Sequence, residues 1–289
     1  MKILTEAQRS SYLDRGYCAG HDWISGEWLD RLNQVTNAFV EESREVERSG
    51  AKFDLEPGHT RANPRLRRLN SPIDFHETYW EFASSGPFVD IAEDLLGANV
   101  KFHHSKLNFK WSGGGEAVKW HQDIQFWPHT NYDVLTIGVY LSDVTEDMAP
   151  MGIIPKSHAQ DLFDLYDHDG QWTGHIKDED LRRLDIDSAE YLSGPAGTVT
   201  VHNCRAVHGS PPNQSAAPRP LLLCAYSAAD AIPITNLTAG GKHAETIVRG
   251  EKTKWARFDP RPVPMPPDWS KQGYKSIFQH QQGESLDEA

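Results

Sequence analysis

The sequence is poor in cysteine. Its 289 residues contain only three, Cys18, Cys204 and Cys224. Their number is odd, their spacing is wide and no CxxC pair occurs, which argues against a disulfide framework and against a thiolate zinc site. We expect three buried thiols, kept reduced in a reducing compartment.

Long hydrophobic runs are also missing. No segment approaches the roughly 18 consecutive apolar residues that a membrane-spanning helix needs. The N-terminal sequence MKILTEAQRSSYLDRGY is charged from its start and has no apolar segment, unlike a secretory signal. The sequence therefore predicts a cytoplasmic protein.

Positive charge is scarce, with 29 Lys and Arg residues against 41 Asp and Glu residues and a formal net charge of -12. An acidic surface repels phosphate backbones and anionic lipids, so we expect neither a nucleic acid nor a membrane as partner. The sequence RANPRLRRL at 61–69 is a local basic exception. It is either a solvated loop or a contact for an anionic part of a ligand.

Helices are predicted in the N-terminal part of the chain, about 1–98. Thr5 and Gln8 match a capping box, and Gly16 is a plausible helix end. Helical periodicity and caps predict two further helices, one beginning after Ser25 and one covering residues 89–96. No repeat or low-complexity linker is visible, so we expect a single domain over residues 1–289.

Short β-rich runs follow, separated by Gly, Pro and Asn turns, at residues 99–111, 134–141, 151–155, 197–202 and 220–226. This pattern predicts a β sandwich or barrel. The acidic residues 161–193 lack alternation and are expected to form a helical or irregular insertion. The Pro-rich sequence from Pro260 predicts an irregular C-terminal tail.

The sequence Trp120-His121-Gln122-Asp123 carries the main chemical signal. On a strand, His121 and Asp123 at i and i+2 would point to the same side and reach one metal. The best third ligand is His208, 85 positions beyond Asp123. Two histidines and a carboxylate form the facial triad of non-haem iron(II) oxygenases, whose open positions hold a 2-oxo acid and O₂. An HxD pair alone is weak, because surface His-Asp pairs are common.

Arg219 strengthens the signal. It lies eleven residues after His208 and opens the β-rich run RPLLLCAY. If the two residues lie on adjacent antiparallel strands, both face one cavity. A guanidinium there would hold a distal carboxylate through two parallel hydrogen bonds. The alternative is a solvated charge at the start of a strand.

Three segments, HQD, LSDVTEDMAPMGIIPKSH and VHNCRAVHGSPPNQSAAPRP, resemble the phytanoyl-CoA dioxygenase family, over roughly residues 1–230. The resemblance implies a mainly β fold with flanking helices, a double-stranded β-helix (jelly roll, cupin-like) at about 99–230. It also implies an enzyme that uses Fe(II), 2-oxoglutarate and O₂ to hydroxylate or desaturate a small molecule, releasing succinate and CO₂.

Site residues follow from the same resemblance. The iron ligands are matched by His121, Asp123 and His208. The partners of the 2-oxoglutarate carboxylate are matched by Arg219 and Ser210. The run HHSKLNFKW resembles IHQSRINYK of the ectoine hydroxylase branch, which implies further 2-oxoglutarate contacts at His104 and Asn108. Trp127, four residues after Asp123, matches a substrate-pocket tryptophan of the same branch. A core position is the alternative for Trp127.

Departures from the family concern the substrate more than the chemistry. The sequence WHQDIQFWP differs from the WHSDFETWH-like signature of ectoine hydroxylases, so ectoine is not the expected substrate. Asp123 is retained, whereas related halogenases lose this carboxylate, which favours hydroxylation or desaturation.

Two other functions stay open at this point: a metal-binding jelly roll without activity, and a zinc hydrolase at the same triad. Neither needs an oxo-acid clamp such as Arg219 with Ser210 and Asn108, and the sequence identifies no general base for a hydrolase. We expect a free small metabolite as substrate, and a monomer or homodimer.

Overall fold

The computed structural model describes residues 1–111, 116–235, 241–268 and 276–282. Its helices are α1 (Glu6–Arg15), α2 (Gly26–Ser43), α3 (Glu77–Ser85), α4 (Pro87–Leu96), α5 (Asp178–Leu181) and α6 (Ile277–Gln282). None of the described helices is long and apolar enough to cross a membrane.

The helix ends follow the predicted caps. The Thr5 side chain accepts a hydrogen bond from the Gln8 backbone, and the Gln8 side chain accepts one from the Thr5 backbone. Gly16 ends α1 with a φ of 86°, a left-handed conformation that glycine adopts without steric cost. Ser25 caps α2, and α4 ends at Gly97. These predictions are confirmed.

The strands form two antiparallel sheets. They are β1 (Tyr17–Gly20), β2 (Phe53–Leu55), β3 (Leu66–Asn70), β4 (Val100–Asn108), β5 (Val118–His121), β6 (Val134–Tyr140), β7 (Met151–Ile153), β8 (Glu190–Leu192), β9 (Val199–Asn203), β10 (His208–Ser210), β11 (Leu221–Ala228) and β12 (Ile247–Arg249). The major sheet has the order β1-β9-β6-β11-β4-β3-β2, with β12 also paired to β4. The minor sheet has the order β5-β10-β7-β8.

The principal core lies between the major sheet and the helices. Phe102 of β4 and Tyr226 of β11 pack there with Phe82 of α3 and Phe88 of α4, and all four are buried. The Tyr226 hydroxyl donates to the Ala83 carbonyl at 2.7 Å, so its polar end is satisfied inside the core. This packing leaves the opposite face of the sheet to meet the minor sheet.

Two predictions of irregular structure need correction. Residues 161–193 contain the short helix α5, but they end in strand β8, which pairs with β7. The basic sequence at 61–69 runs into β3, where Arg67 and Arg68 are each only 2 % exposed. The solvated-loop interpretation is wrong for these two residues, since side-chain partners inside the protein hold both.

The C-terminal tail is only partly described. Residues 260–268 form neither helix nor strand, as expected, but α6 follows at Ile277–Gln282. Residues 269–275 and 283–289 lie outside the described part of the chain.

Candidate metal centre

Strands β5 and β10 bring the two predicted histidine ligands together. His121 and His208 are register partners across this antiparallel pair. Gly209 allows the close approach, because a Cβ atom there would lie 2.7 Å from the Val118 carbonyl oxygen. The imidazole centroids of His121 and His208 are 4.1 Å apart.

Asp123 is placed beside the two histidines by a local backbone structure that the sequence did not predict. Strand β5 ends at His121, and Asp123 begins a 3₁₀ turn, Asp123–Gln125. The expectation that His121 and Asp123 share one face of a continuous strand is therefore wrong. Gln122 fixes the turn, because its side-chain amide donates to the Arg205 carbonyl and accepts from the Phe163 amide.

The resulting geometry is compact. Oδ1 of Asp123 lies 3.7 Å from Nε2 of His121 and 3.8 Å from Nε2 of His208. One ligand atom from each of the three residues lies within 4.8 Å of the others, and all three residues are buried. Among the described residues, this is the group of His, Cys, Asp and Glu side chains that can hold a metal ion.

Backbone hydrogen bonds set the histidine tautomers. Nδ1 of His121 donates to the Lys119 carbonyl at 2.9 Å, and Nδ1 of His208 donates to the Ala206 carbonyl at 3.0 Å. Each bond places the ring proton on Nδ1 and leaves a lone pair on Nε2. This arrangement is typical of metal-binding histidines, whose second nitrogen is held by a backbone carbonyl or a carboxylate.

Two further side chains contact Oδ2 of Asp123, the carboxylate oxygen that does not face the histidine ligands. Its Oδ2 accepts a hydrogen bond from Oγ1 of Thr136 at 2.9 Å and lies 3.3 Å from Nε2 of His202. These contacts occupy Oδ2 and leave Oδ1 facing the histidines. Sequence analysis did not assign the support of Asp123 to either residue; Thr136 and His202 are register partners on the adjacent strands β6 and β9.

The electrostatics of the group suit a divalent cation. Burial lowers the pKa of His208 well below its usual range, and the nearby His121 and His202 act in the same direction. For Asp123, burial alone would raise the pKa, but the charge of Lys106 and the neighbouring histidines outweigh it and hold that pKa well below its usual range. The group therefore offers a neutral imidazole at His208 and an anionic carboxylate at Asp123.

A cavity between the two sheets opens onto this group. Lys106 and Asn108 of β4 line it from the major sheet, and Val118 and Met151 line it from the minor sheet. Arg219 and Ser210 line the same cavity, as do Ile277 and Phe278 at the start of α6. The structure thus brings together six residues that the sequence singled out: His121, Asp123, His208, Ser210, Arg219 and Asn108.

Arg219 is the most informative residue of the cavity wall. It is 3 % exposed, and its Nε and Nη1 atoms are buried without a hydrogen-bond partner among the described residues. Its backbone amide donates to the Lys110 carbonyl, which fixes the start of β11 against the end of β4. Because a buried guanidinium with free donors is costly, these atoms fit a ligand carboxylate, such as the distal carboxylate of 2-oxoglutarate.

Two predicted residues do not line this cavity. His104 and Trp127 are both buried, and they lie in a cluster with His103 and His129. Nδ1 of His104 lies 2.5 Å from Nδ1 of His103, and the Trp127 and His104 ring centroids are 5.6 Å apart. The roles predicted for His104 and Trp127 therefore stay predictions.

Comparison with known proteins agrees with this geometry. The model of the family described as phytanoyl-CoA dioxygenase matches residues 12–221. The chain belongs to this family. A probable alpha-ketoglutarate-dependent hypophosphite dioxygenase of Stutzerimonas stutzeri is 33 % identical over 279 residues, covering 95 % of this chain and 96 % of that protein. An L-proline trans-4-hydroxylase of Streptomyces griseoviridis is 31 % identical over 56 % of this chain and 67 % of its own length.

Solved structures confirm the fold. EctD from S. alaskensis with bound Fe superposes with a TM-score of 0.71 at 21 % identity, covering 87 % of this chain and 88 % of that one. The same protein with 2-oxoglutarate and 5-hydroxyectoine gives a TM-score of 0.70. The predicted jelly roll is therefore confirmed.

The family membership decides between the functions left open by the sequence. This phytanoyl-CoA dioxygenase family member is an iron(II)- and 2-oxoglutarate-dependent dioxygenase that acts on a small molecule, and its cofactors are Fe(II), 2-oxoglutarate and O₂. This interpretation is favoured over a non-catalytic metal-binding jelly roll and over a zinc hydrolase.

Proposed function

We propose that this dioxygenase binds Fe(II) through His121, Asp123 and His208 and hydroxylates a small metabolite in the cavity between the two sheets. The observation that carries the proposal is the joint position of this group and Arg219 in one cavity. The unpartnered donors of Arg219 supply what the triad alone lacks, a binding site for the second end of a dicarboxylate.

Bound Fe(II), with 2-oxoglutarate and O₂, supplies an oxidant that replaces a substrate hydrogen with hydroxyl, while 2-oxoglutarate leaves as succinate and CO₂. The residues of the chain position and shield this chemistry. Arg219 holds the distal carboxylate through Nε and Nη1, with Ser210 beside it, and Asn108 contacts the co-substrate from β4. Leu221 and Leu223 of β11 and Phe278 of α6 keep the cavity wall apolar and exclude water.

Asn108 is itself held in place. Its Oδ1 accepts a hydrogen bond from Nε of Arg68 at 2.8 Å, so the side-chain amide group remains available to donate to a ligand. This contact fixes which end of the Asn108 amide faces the co-substrate and supports its predicted role. We also keep His104 as a co-substrate contact and Trp127 as a substrate contact, on the resemblance to the ectoine hydroxylase branch.

The substrate is proposed to be a free metabolite. Relatives of this chain are named for hypophosphite, L-proline and ectoine, which are all small molecules. We further propose a cytoplasmic monomer or homodimer that binds neither nucleic acid nor membranes. The net charge of -12 and the three free, buried cysteines support this assignment.

The decisive experiment measures iron and 2-oxoglutarate binding to the purified protein under anaerobic conditions. We expect one Fe(II) per chain, and 2-oxoglutarate binding that requires the metal. Asp123→Ala, His121→Ala and His208→Ala should each lose tight iron binding while keeping the circular dichroism spectrum of the wild type. A variant of this set with wild-type iron affinity would remove that residue from the ligand set.

A further inference from the structure

Lys106 stands out among the cavity residues, because its ammonium group forms neither an ion pair nor a hydrogen bond with a described residue. It lies on β4 between His104 and Asn108, and its side chain lines the cavity together with His121 and His208. The Asp123 carboxylate is the opposite charge that acts on this ammonium group, through space rather than through a direct contact, and Asp123 is already assigned to the metal. Neither the proposed iron site nor the proposed clamp uses Lys106.

A second cation lies close by. Arg68, on the neighbouring strand β3, is 2 % exposed, and its guanidinium contacts the Asn108 amide rather than a carboxylate. Its Nη2 atom is buried without a partner among the described residues. The ring of Phe278 packs over the guanidinium at 5.4 Å, which shields this charge from solvent.

The charges of the loaded site leave buried cations unbalanced. Asp123 and the metal-binding carboxylate of 2-oxoglutarate neutralise the two positive charges of Fe(II). The distal carboxylate of 2-oxoglutarate neutralises Arg219.

Three positive charges then remain, Lys106 in the cavity and the buried Arg68 and Lys110 beside it, and an unpaired charge at low dielectric costs several kcal/mol. The Lys110 ammonium donates to the Ser210 and Pro211 carbonyls. Lys106 is therefore the one of the three that faces the cavity without a polar contact to a described residue.

We propose that Lys106 binds the anionic group of the substrate, which is therefore a compact anion such as a phosphorus oxyanion or a small carboxylate. This inference rests on the proposed function, since it assumes that Fe(II) and 2-oxoglutarate occupy the sites assigned above. Arg68, which donates to the Asn108 amide, adds to the positive potential around Lys106. The substrate anion neutralises Lys106 and presents its oxidisable hydrogen to the metal.

The site also limits the size of the anion. Lys106 shares the cavity with the iron ligands, and Leu221, Leu223 and Phe278 form apolar walls around it. A compact anion reaches both Lys106 and the metal from one position.

The test uses the anaerobic complex of the protein with Fe(II) and 2-oxoglutarate, with probe binding measured by calorimetry. The inorganic probes are sodium hypophosphite and sodium phosphite. The organic probe is L-proline, and its control is L-prolinamide, which has a neutral amide in place of the carboxylate. Binding of the phosphorus anions indicates a phosphorus oxyanion as the substrate group, and binding of L-proline indicates a carboxylate. L-prolinamide should bind more weakly than L-proline.

Lys106→Met removes the charge at nearly constant length, and Lys106→Arg retains it. We expect Lys106→Met to weaken binding of the preferred anion by roughly 10- to 100-fold, as for the loss of one partner of a desolvated charge pair. Lys106→Arg should keep most of the affinity. The matched control is Lys156→Met, which removes a lysine that is 64 % exposed and should leave anion affinity unchanged.

Several outcomes would overturn the proposal. They are an anion affinity within twofold of wild type in Lys106→Met, equal losses of anion and 2-oxoglutarate affinity in that variant, or no binding of any anionic probe to the wild-type complex. The 2-oxoglutarate titration of the wild type separates this failure from failure of the proposed function. If 2-oxoglutarate does not bind with Fe(II), the proposed function itself is wrong.

Discussion

Nε2 of His202 lies 3.3 Å from Oδ2 of Asp123, on the side of the carboxylate that faces away from the two histidine ligands. Nδ1 of His202 is buried without a hydrogen-bond partner among the described residues, so the ring proton belongs on Nε2, where it can be donated to Asp123. Thr136 donates to the same oxygen at 2.9 Å. Together they fix the orientation of the carboxylate before any metal arrives.

The first prediction concerns this support. Thr136→Val replaces the hydroxyl with a methyl group and leaves Oδ2 of Asp123 with one donor fewer. We expect iron affinity to fall by roughly 10-fold or more, as for other partners of metal ligands. Anaerobic Fe(II) titration measures the effect. The control is Thr145→Val, at an exposed residue remote from the cavity, and equal affinities in wild type and Thr136→Val would contradict the positioning role.

The second prediction concerns the clamp. Arg219→Ala should weaken 2-oxoglutarate binding by about 2–5 kcal/mol, because the distal carboxylate stays buried without its partner. Fe(II) affinity should change little, since Arg219 is not among the proposed ligands. Arg219→Lys should recover only part of the loss, because an ammonium group cannot form two parallel hydrogen bonds. Unchanged 2-oxoglutarate affinity in Arg219→Ala would disprove the assignment.

A third prediction concerns Trp127, which is 6 % exposed and packs against His103 and His129. Trp127→Ala should lower the free energy of unfolding by about 3–5 kcal/mol, as measured by urea denaturation of the metal-free protein. Trp255→Ala is the matched control, because Trp255 is 82 % exposed and its loss should cost less than about 0.5 kcal/mol. Wild-type stability in Trp127→Ala would contradict this packing role, and loss of hydroxylation in the folded variant would support the proposed substrate contact.

The fourth prediction concerns the thiols. Burial raises the pKa of Cys18 to about 12 and also raises the pKa values of Cys204 and Cys224. Since the thiolate is the reactive form, the native protein should react slowly with a thiol reagent at pH 8. All three thiols should react at once after unfolding in urea. Rapid modification of any of them in the native protein would show that its burial is not maintained.

Local signals predicted much of this fold. The capping box at Thr5 and the stop at Gly16 depend on residues within one or two helical turns, so the sequence alone specifies them. Strand β1 (Tyr17–Gly20) was missed, because four residues give too little alternation to recognise. Strand β3 was not predicted because of its arginines, whose side chains are held by residues distant in sequence: Arg67 pairs with the Asp54 carboxylate, and Arg68 donates to the Asn108 amide.

In the candidate site, too, features set by local sequence were predictable and features set by distant residues were not. His121, Asp123, His208 and Arg219 were predictable from motif and spacing. The turn at Asp123 was not, because the contacts that create it come from Arg205 and Phe163, far along the chain. Lys106 carried a readable signal, since it lies two residues before Asn108 on one strand and therefore shares its face.

The division of the cavity between the two sheets affects how the protein responds to denaturants. The histidine ligands belong to the minor sheet, whereas Arg219 precedes β11 of the major sheet. A dicarboxylate bound to both the metal and Arg219 acts as a cross-link that ties one sheet to the other. At a concentration one hundred times its dissociation constant, such a ligand adds about 2.7 kcal/mol to the unfolding free energy. Depletion of the co-substrate would remove this contribution and lower the denaturant concentration at which the protein unfolds.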